Sequence, residues 1–137
     1  MDSKLLSSII KAPLTLAVIL LAIHPMFTAA TEWECGERSN LPIEGRNYCA
    51  AGDFRLADSK LEKLLDRLIT REKQVSVMAV AEQQEAHTGF KSHRSEHCLS
   101  KNTHLENKPY YEMVVAQCKT RLTNQRIKEL QHKLGLL

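Results

Sequence analysis

Residues 89–101 read GFKSHRSEHCLSK, a stretch that gathers two histidines, a thiol and several charged groups within a few turns. His93 and His97 are four residues apart, so on a helix both imidazoles face the same way, a spacing that zinc can use. Glu96 and His104 are nearby, and Cys98 joins such a set only as a reduced thiolate. The fuller patterns are absent, because the chain has neither an HExxH order nor a CxxC pair. A carrier of metal or small ligand built on His87, His93, His97 and His104 is therefore a minor reading, and the expectation is no metal and no cofactor. Catalysis has no better support. His97 and Cys98 are adjacent, and adjacent helical positions point in different directions. There is no Ser/His/Asp order and no glycine-rich phosphate loop, so the sequence predicts a protein that is not an enzyme.

The use of Cys98 is decided by compartment. The chain opens with Lys4 and Lys11, an apolar run from Leu14 to Ile23, a helix-breaking HP and the small residues TAA. That order describes a cleaved secretory signal peptide, with the cut expected after Ala30 and Thr28 and Ala30 as the small recognition residues. A spanning helix needs about twenty apolar residues, so this run predicts no stable membrane insertion after cleavage. No cysteine stands at the cut, so no lipid-modified terminus is expected. Residues 1–30 are read as the signal and 31–137 as one exported domain, periplasmic or secreted.

Cys35, Cys49, Cys98 and Cys118 all follow the cut, and an even cysteine count in a short exported chain reads as disulfides. Three pairings are open to four cysteines. Cys35–Cys49 with Cys98–Cys118 is favoured, because each closes a short loop over turn-like sequence. Loops of this size stabilise by about 3 kcal/mol each in the loop-entropy model.

The whole chain carries a formal charge of +3, which falls slightly once the signal is removed. A nucleic-acid binder needs a strong basic stripe, so that partner class is disfavoured. Few aromatic residues and only five glycines argue against a β-sandwich.

The elements are helical. Residues 35–52 read as a loop between two cysteines with a short helical turn near Ile43–Tyr48, and Asp53 as the N-cap of the first long helix. Ala57, Leu61, Leu64, Leu65 and Leu68 give that helix an apolar stripe. The period continues through Val75, Met78, Ala79, Ala86 and Phe90, either as one long helix or as two with a bend near residues 70–76. LSKNTHLENKP is the most loop-like segment. Pro109 suits the start of a last helix through Val115, Cys118, Leu122, Ile127, Leu130 and Leu134, with Gly135 as its stop. The predicted fold is all-α: a small disulfide-stapled helical hairpin or three-helix bundle after a cleaved signal peptide. Phe90, Arg94 and Cys98 share a helix face, so the opening stretch reads as a helix end with a covalent fastening. Arg94 and Arg126 are both expected to reach Asp58 in a polar cluster that sets helix register.

Three motifs carry a resemblance. FKSHRSEHC is similar to a W-x3-R-D-x2-C signature through Phe90, Arg94 and Cys98. CKTRLTNQRIKEL follows C-x3-L-T-x2-R-x3-L through Cys118, Leu122, Thr123, Arg126 and Leu130, and ADSKLEKLLDRL resembles A-D-x2-L-N-x2-Y-x2-L through Ala57, Asp58, Leu61 and Leu68. Taken in their order along the chain they resemble the LprI-like lysozyme-inhibitor family of small secreted helical domains. Ser95, Glu62, Leu65 and Phe90 stand where that pattern has aspartate, asparagine, tyrosine and tryptophan. The resemblance implies an exported, disulfide-stapled helical domain and, for some members, inhibition of lysozyme.

Two binding roles follow as expectations. One is inhibition of c-type lysozyme, whose cleft holds two catalytic carboxylates. Residues 99–109, with Lys101, Asn102, His104 and Lys108, form the candidate partner-binding loop, and Glu32, Glu34 and Glu37 form a local acidic patch. The alternative is a periplasmic envelope-stress or interaction protein that binds another envelope protein.

Overall fold

Residues 32–137 are described by a computed structural model. The expected signal peptide and its cut after Ala30 lie outside the described residues. The domain is all-helical: after a single 3₁₀ turn at Arg38–Asn40 come α1 (Ile43–Glu72), α2 (Val77–Lys101) and α3 (Tyr111–Lys133). A second 3₁₀ turn, Thr103–Leu105, lies between α2 and α3. Of the two helical arrangements expected, the chain takes the three-helix one.

α1 starts ten residues before the expected cap at Asp53, so residues 43–52 of the segment read as a cysteine-bound loop form its first turns. Pro42 occupies the N-cap, where its missing N–H leaves no donor unsatisfied and its fixed φ suits helix entry. Gly45 lies inside the helix for a packing reason. A Cβ there falls 3.0 Å from two carbons of the Trp33 ring and 3.3 Å from the Leu41 Cβ, so the incoming chain crosses where only a hydrogen fits. Glycine marked a close approach here rather than a loop.

α1 ends at a tight turn in which Lys73, Gln74, Val75 and Ser76 donate backbone hydrogen bonds to Ile69, Arg71 and Glu72 carbonyls. Ser76, in extended conformation, accepts from the Ala79 N–H and caps α2. The long apolar period is thus two helices. α3 stops at Gly135, whose φ of 69° is the left-handed conformation that glycine reaches without strain.

α1 and α3 run parallel in fixed register. Asn47 Nδ2 donates to the Pro109 carbonyl at one end, and Arg71 Nη1 donates to the Lys133 carbonyl at the other, both across 62 residues. α2 runs antiparallel to them. The main core lies between α1 and α3: Leu61, Leu64, Leu65 and Leu68 pack with Ile127 and Leu130, and Ile69, Phe90 and Leu134 close the edges. Leu61 and Leu130 are completely buried. α2 contributes little to this core. Its first ten residues bury none of their side chains, and only His87, Arg94 and Cys98 are buried along its length. Among the described residues no helix is long and apolar enough to cross a membrane.

Candidate functional site

Two disulfides join the ends of the elements. Cys35–Cys49 ties the leading segment to α1, and Cys98–Cys118 ties the last turn of α2 to α3. Cys98 is fully buried and packs with Val115, Cys118, Tyr111 and Leu122. The thiol that stood beside His97 is therefore a structural link. The His93 and His97 rings lie tilted against each other, with centroids 5.8 Å apart. Among the described residues no third ligand joins them in a group able to hold a metal.

The three helices meet at Arg94. Its side chain is 4% exposed, and its Nη1 donates to Asp58 Oδ1 on α1 at 2.6 Å and to Thr123 Oγ1 on α3 at 2.7 Å. Thr123 passes the contact on, since its hydroxyl donates to the Lys119 carbonyl at 2.8 Å. A hydroxyl that accepts once and donates once is well satisfied, which allows Thr123 to be completely buried. The guanidinium also lies between two rings, 4.8 Å from the Phe54 centroid and 5.3 Å from that of Phe90. Such cation–ring contacts strengthen when desolvated, as this one is. Lys119 extends the stack beyond Phe54 and Arg126 beyond Phe90, at 5.8 and 5.9 Å. Cations and rings thus alternate across all three helices.

Arg126 departs from expectation. It does not bond Asp58; its Nη1 donates to Glu129 Oε2 at 2.7 Å. Thr123 holds the α3 position opposite Arg94 and Asp58, and a residue three positions further on lies almost a turn away along the axis. Arg126 belongs to the cluster only through the Phe90 ring.

Two further contacts were not anticipated. Glu62 Oε1 accepts from Lys91 Nζ at 2.9 Å and lies 3.0 Å from His87 Nε2, which ties α1 to the middle of α2. Burial pushes the Glu62 carboxyl up, but the hydrogen bonds from Lys91 and His87 outweigh it and hold the group below its ordinary range. Near the first disulfide, Arg38 grips both oxygens of Asp53, with Nη2 to Oδ1 at 2.8 Å. That contact holds the Asp53 carboxyl below its usual range. The i,i+4 spacing of His87 and Lys91 was visible in sequence, but their shared partner 25 and 29 residues away was not.

The candidate partner-binding segment is more ordered than a loop. α2 runs on to Lys101, and a chain of backbone bonds continues from Leu105 N–H to Asn102 O, Glu106 N–H to Thr103 O and Lys108 N–H to Leu105 O. Lys101, His104 and Lys108 are exposed on it. Asn102 is turned inward instead: it is 8% exposed, and its Nδ2 donates to the Cys98 carbonyl at 2.7 Å. It satisfies a carbonyl at the helix end and is not available to a partner.

The arrangement is a clamp of three helices beside a presented turn. Asp58, the carboxylate at its centre, is held by Arg94. No curated protein and no solved structure is similar enough to match the chain. A family model described as Lysozyme inhibitor LprI matches residues 37–130, which take in all of the clamp and the second disulfide. That family is one of inhibitors rather than enzymes, and two disulfides agree with an extracytoplasmic location. With the match running from the first 3₁₀ turn to the last core leucine, this chain belongs to the LprI lysozyme-inhibitor family.

Proposed function

We propose that residues 31–137, exported after removal of residues 1–30, act as a non-enzymatic inhibitor of c-type lysozyme through the turn between α2 and α3. The observation that carries this reading is membership of the inhibitor family over residues 37–130. The geometry supports it in two ways. The turn is hydrogen-bonded within itself and follows directly on the Cys98–Cys118 link, so little conformational entropy is lost on docking. Lys101 and Lys108 project from it, suited in sign to a cleft with two carboxylates, and His104 is exposed between them as a hydrogen-bonding group. Lysozymes of this class are basic and this domain is slightly basic, so long-range steering does not assist encounter and the contact acts at short range.

The test is lysis of a peptidoglycan suspension by c-type lysozyme with increasing amounts of the oxidised protein. Saturable inhibition near equimolar ratio is the expected result, and full lysis at large excess removes the reading. A second reading, binding to another envelope protein, is favoured by the start of α2, where Val77 and Met78 are 85% and 73% exposed with no partner helix.

A further inference from the structure

The bundle's positive charge is not evenly spread. α1 carries six cations and six carboxylates and α2 three of each, whereas α3 carries five cations against two carboxylates. On the outer side of α3 lies an open groove of about 470 Å³ walled at one side by Asp53. The residues lining it are all polar or charged, though their aliphatic stems make up most of its surface: Gln117, Thr120, Asn124 and Gln125 alternate with Arg121 and Lys128. The only carboxylate in the lining, Asp53, is neutralised by Arg38. The six ion pairs among the described residues include neither Arg121 nor Lys128. No side-chain hydrogen bond within the described residues engages Gln117, Asn124 or Gln125, and Thr120 uses only its proton, toward the Ala116 carbonyl.

We infer that this groove binds a carboxylated oligosaccharide. Side-chain amides present a donor and an acceptor side by side, the match for hydroxyl and acetamido groups that both give and take hydrogen bonds. Gln117 to Lys128 spans about 16 Å of helix, enough for a short run of sugar rings. Arg121 and Lys128 lie about 10 Å apart along the axis, a spacing for carboxylates borne on separate sugars rather than for one compact anion. No aromatic residue lines the groove, which argues against stacked bases of a nucleic acid. The inference is independent of the inhibitor reading, since it concerns a different helix face from the α2–α3 turn.

The test is an amide-resolved NMR titration of the oxidised protein with two disaccharides that differ by one carboxylate. These are N-acetylglucosamine joined to N-acetylmuramic acid, and neutral di-N-acetylchitobiose. Expected are shifts confined to the Gln117–Lys128 stretch, with the carboxylated sugar binding about tenfold more tightly. Arg121→Gln with Lys128→Gln removes that preference and keeps the weaker neutral binding, while Asn124→Ala with Gln117→Ala weakens both. All four positions are solvent-facing, and unchanged helical circular dichroism verifies the fold of each variant. Equal binding of the two sugars, shifts elsewhere only, or the same shifts with lactate alone overturns the inference.

Discussion

Arg94 and Asp58, 36 residues apart in sequence, meet through a 2.6 Å bond in which the guanidinium is almost wholly buried and the carboxylate about a quarter exposed. The asymmetry determines what mutation does. Removing Asp58 strands the guanidinium charge in the interior, whereas removing Arg94 strands a carboxylate that still reaches water. Asp58→Ala is expected to cost about 3 kcal/mol in urea unfolding, and Arg94→Met clearly less. A larger loss for Arg94→Met than for Asp58→Ala contradicts this account.

Thr123 tests the α3 side of the same cluster. Thr123→Val keeps the shape and removes the acceptor for Arg94 and the donor for Lys119, so a loss of about 1–3 kcal/mol is expected. Arg126→Ala affects only an i,i+3 pair and a ring contact, and its cost should stay below about 1 kcal/mol.

Gly45→Ala sets two effects against each other. Alanine in place of a helical glycine gains about 1 kcal/mol. Here its Cβ meets the Trp33 ring at 3.0 Å, and overpacking costs about 1–3 kcal/mol. Net destabilisation is expected, together with a shift in tryptophan emission that reports Trp33 alone, as the chain has one tryptophan. A more stable variant with unchanged emission refutes the close packing.

Glu62 gives the acid limb a definite sign. Its folded-state carboxyl titrates below the ordinary value of 4.5, so on acidification the unfolded chain takes up the proton first. The stability that Glu62 contributes is therefore complete above that value and lost as pH falls through the lower folded-state value. The group is partly exposed, so the effect is modest. Comparing wild type with Glu62→Gln in chemical unfolding between neutral pH and pH about 3, the stability gap should close at the acid end. A gap that widens on acidification overturns this assignment.

The second disulfide links stability to the proposed inhibitory turn. Cys98→Ala with Cys118→Ala should cost about 3 kcal/mol, since the link closes a separation of 20 residues. Lys101→Glu with Lys108→Glu leaves the fold unchanged and should abolish lysozyme inhibition in the lysis assay. Inhibition that survives the charge reversal moves the inhibitory surface away from the turn.

Much of this protein is determined locally, and that part was legible in the sequence. The 3.6-residue stripe of Leu61, Leu64, Leu65 and Leu68 specifies a helix whatever packs on it, because the period alone defines an apolar face. Gly135 similarly marks a stop by its own conformational freedom. Phe54 with Asp58 and Phe90 with Arg94 each place a ring and a charge four residues apart, but sequence cannot say that the two faces oppose each other. That depends on the antiparallel course of α2, set by the turn at residues 73–76. Gly45 and Asp53 looked like loop and cap because their neighbours through space, Trp33 and Arg38, come from the segment folded back by Cys35–Cys49. Asn102 read as a surface amide until the α2 end left the Cys98 carbonyl in need of a donor. Sequence determined which faces are apolar, since that follows from spacing along one chain. Only the tertiary structure decided which faces meet, and with it the partners that Arg94, Thr123 and Asn102 find in the interior.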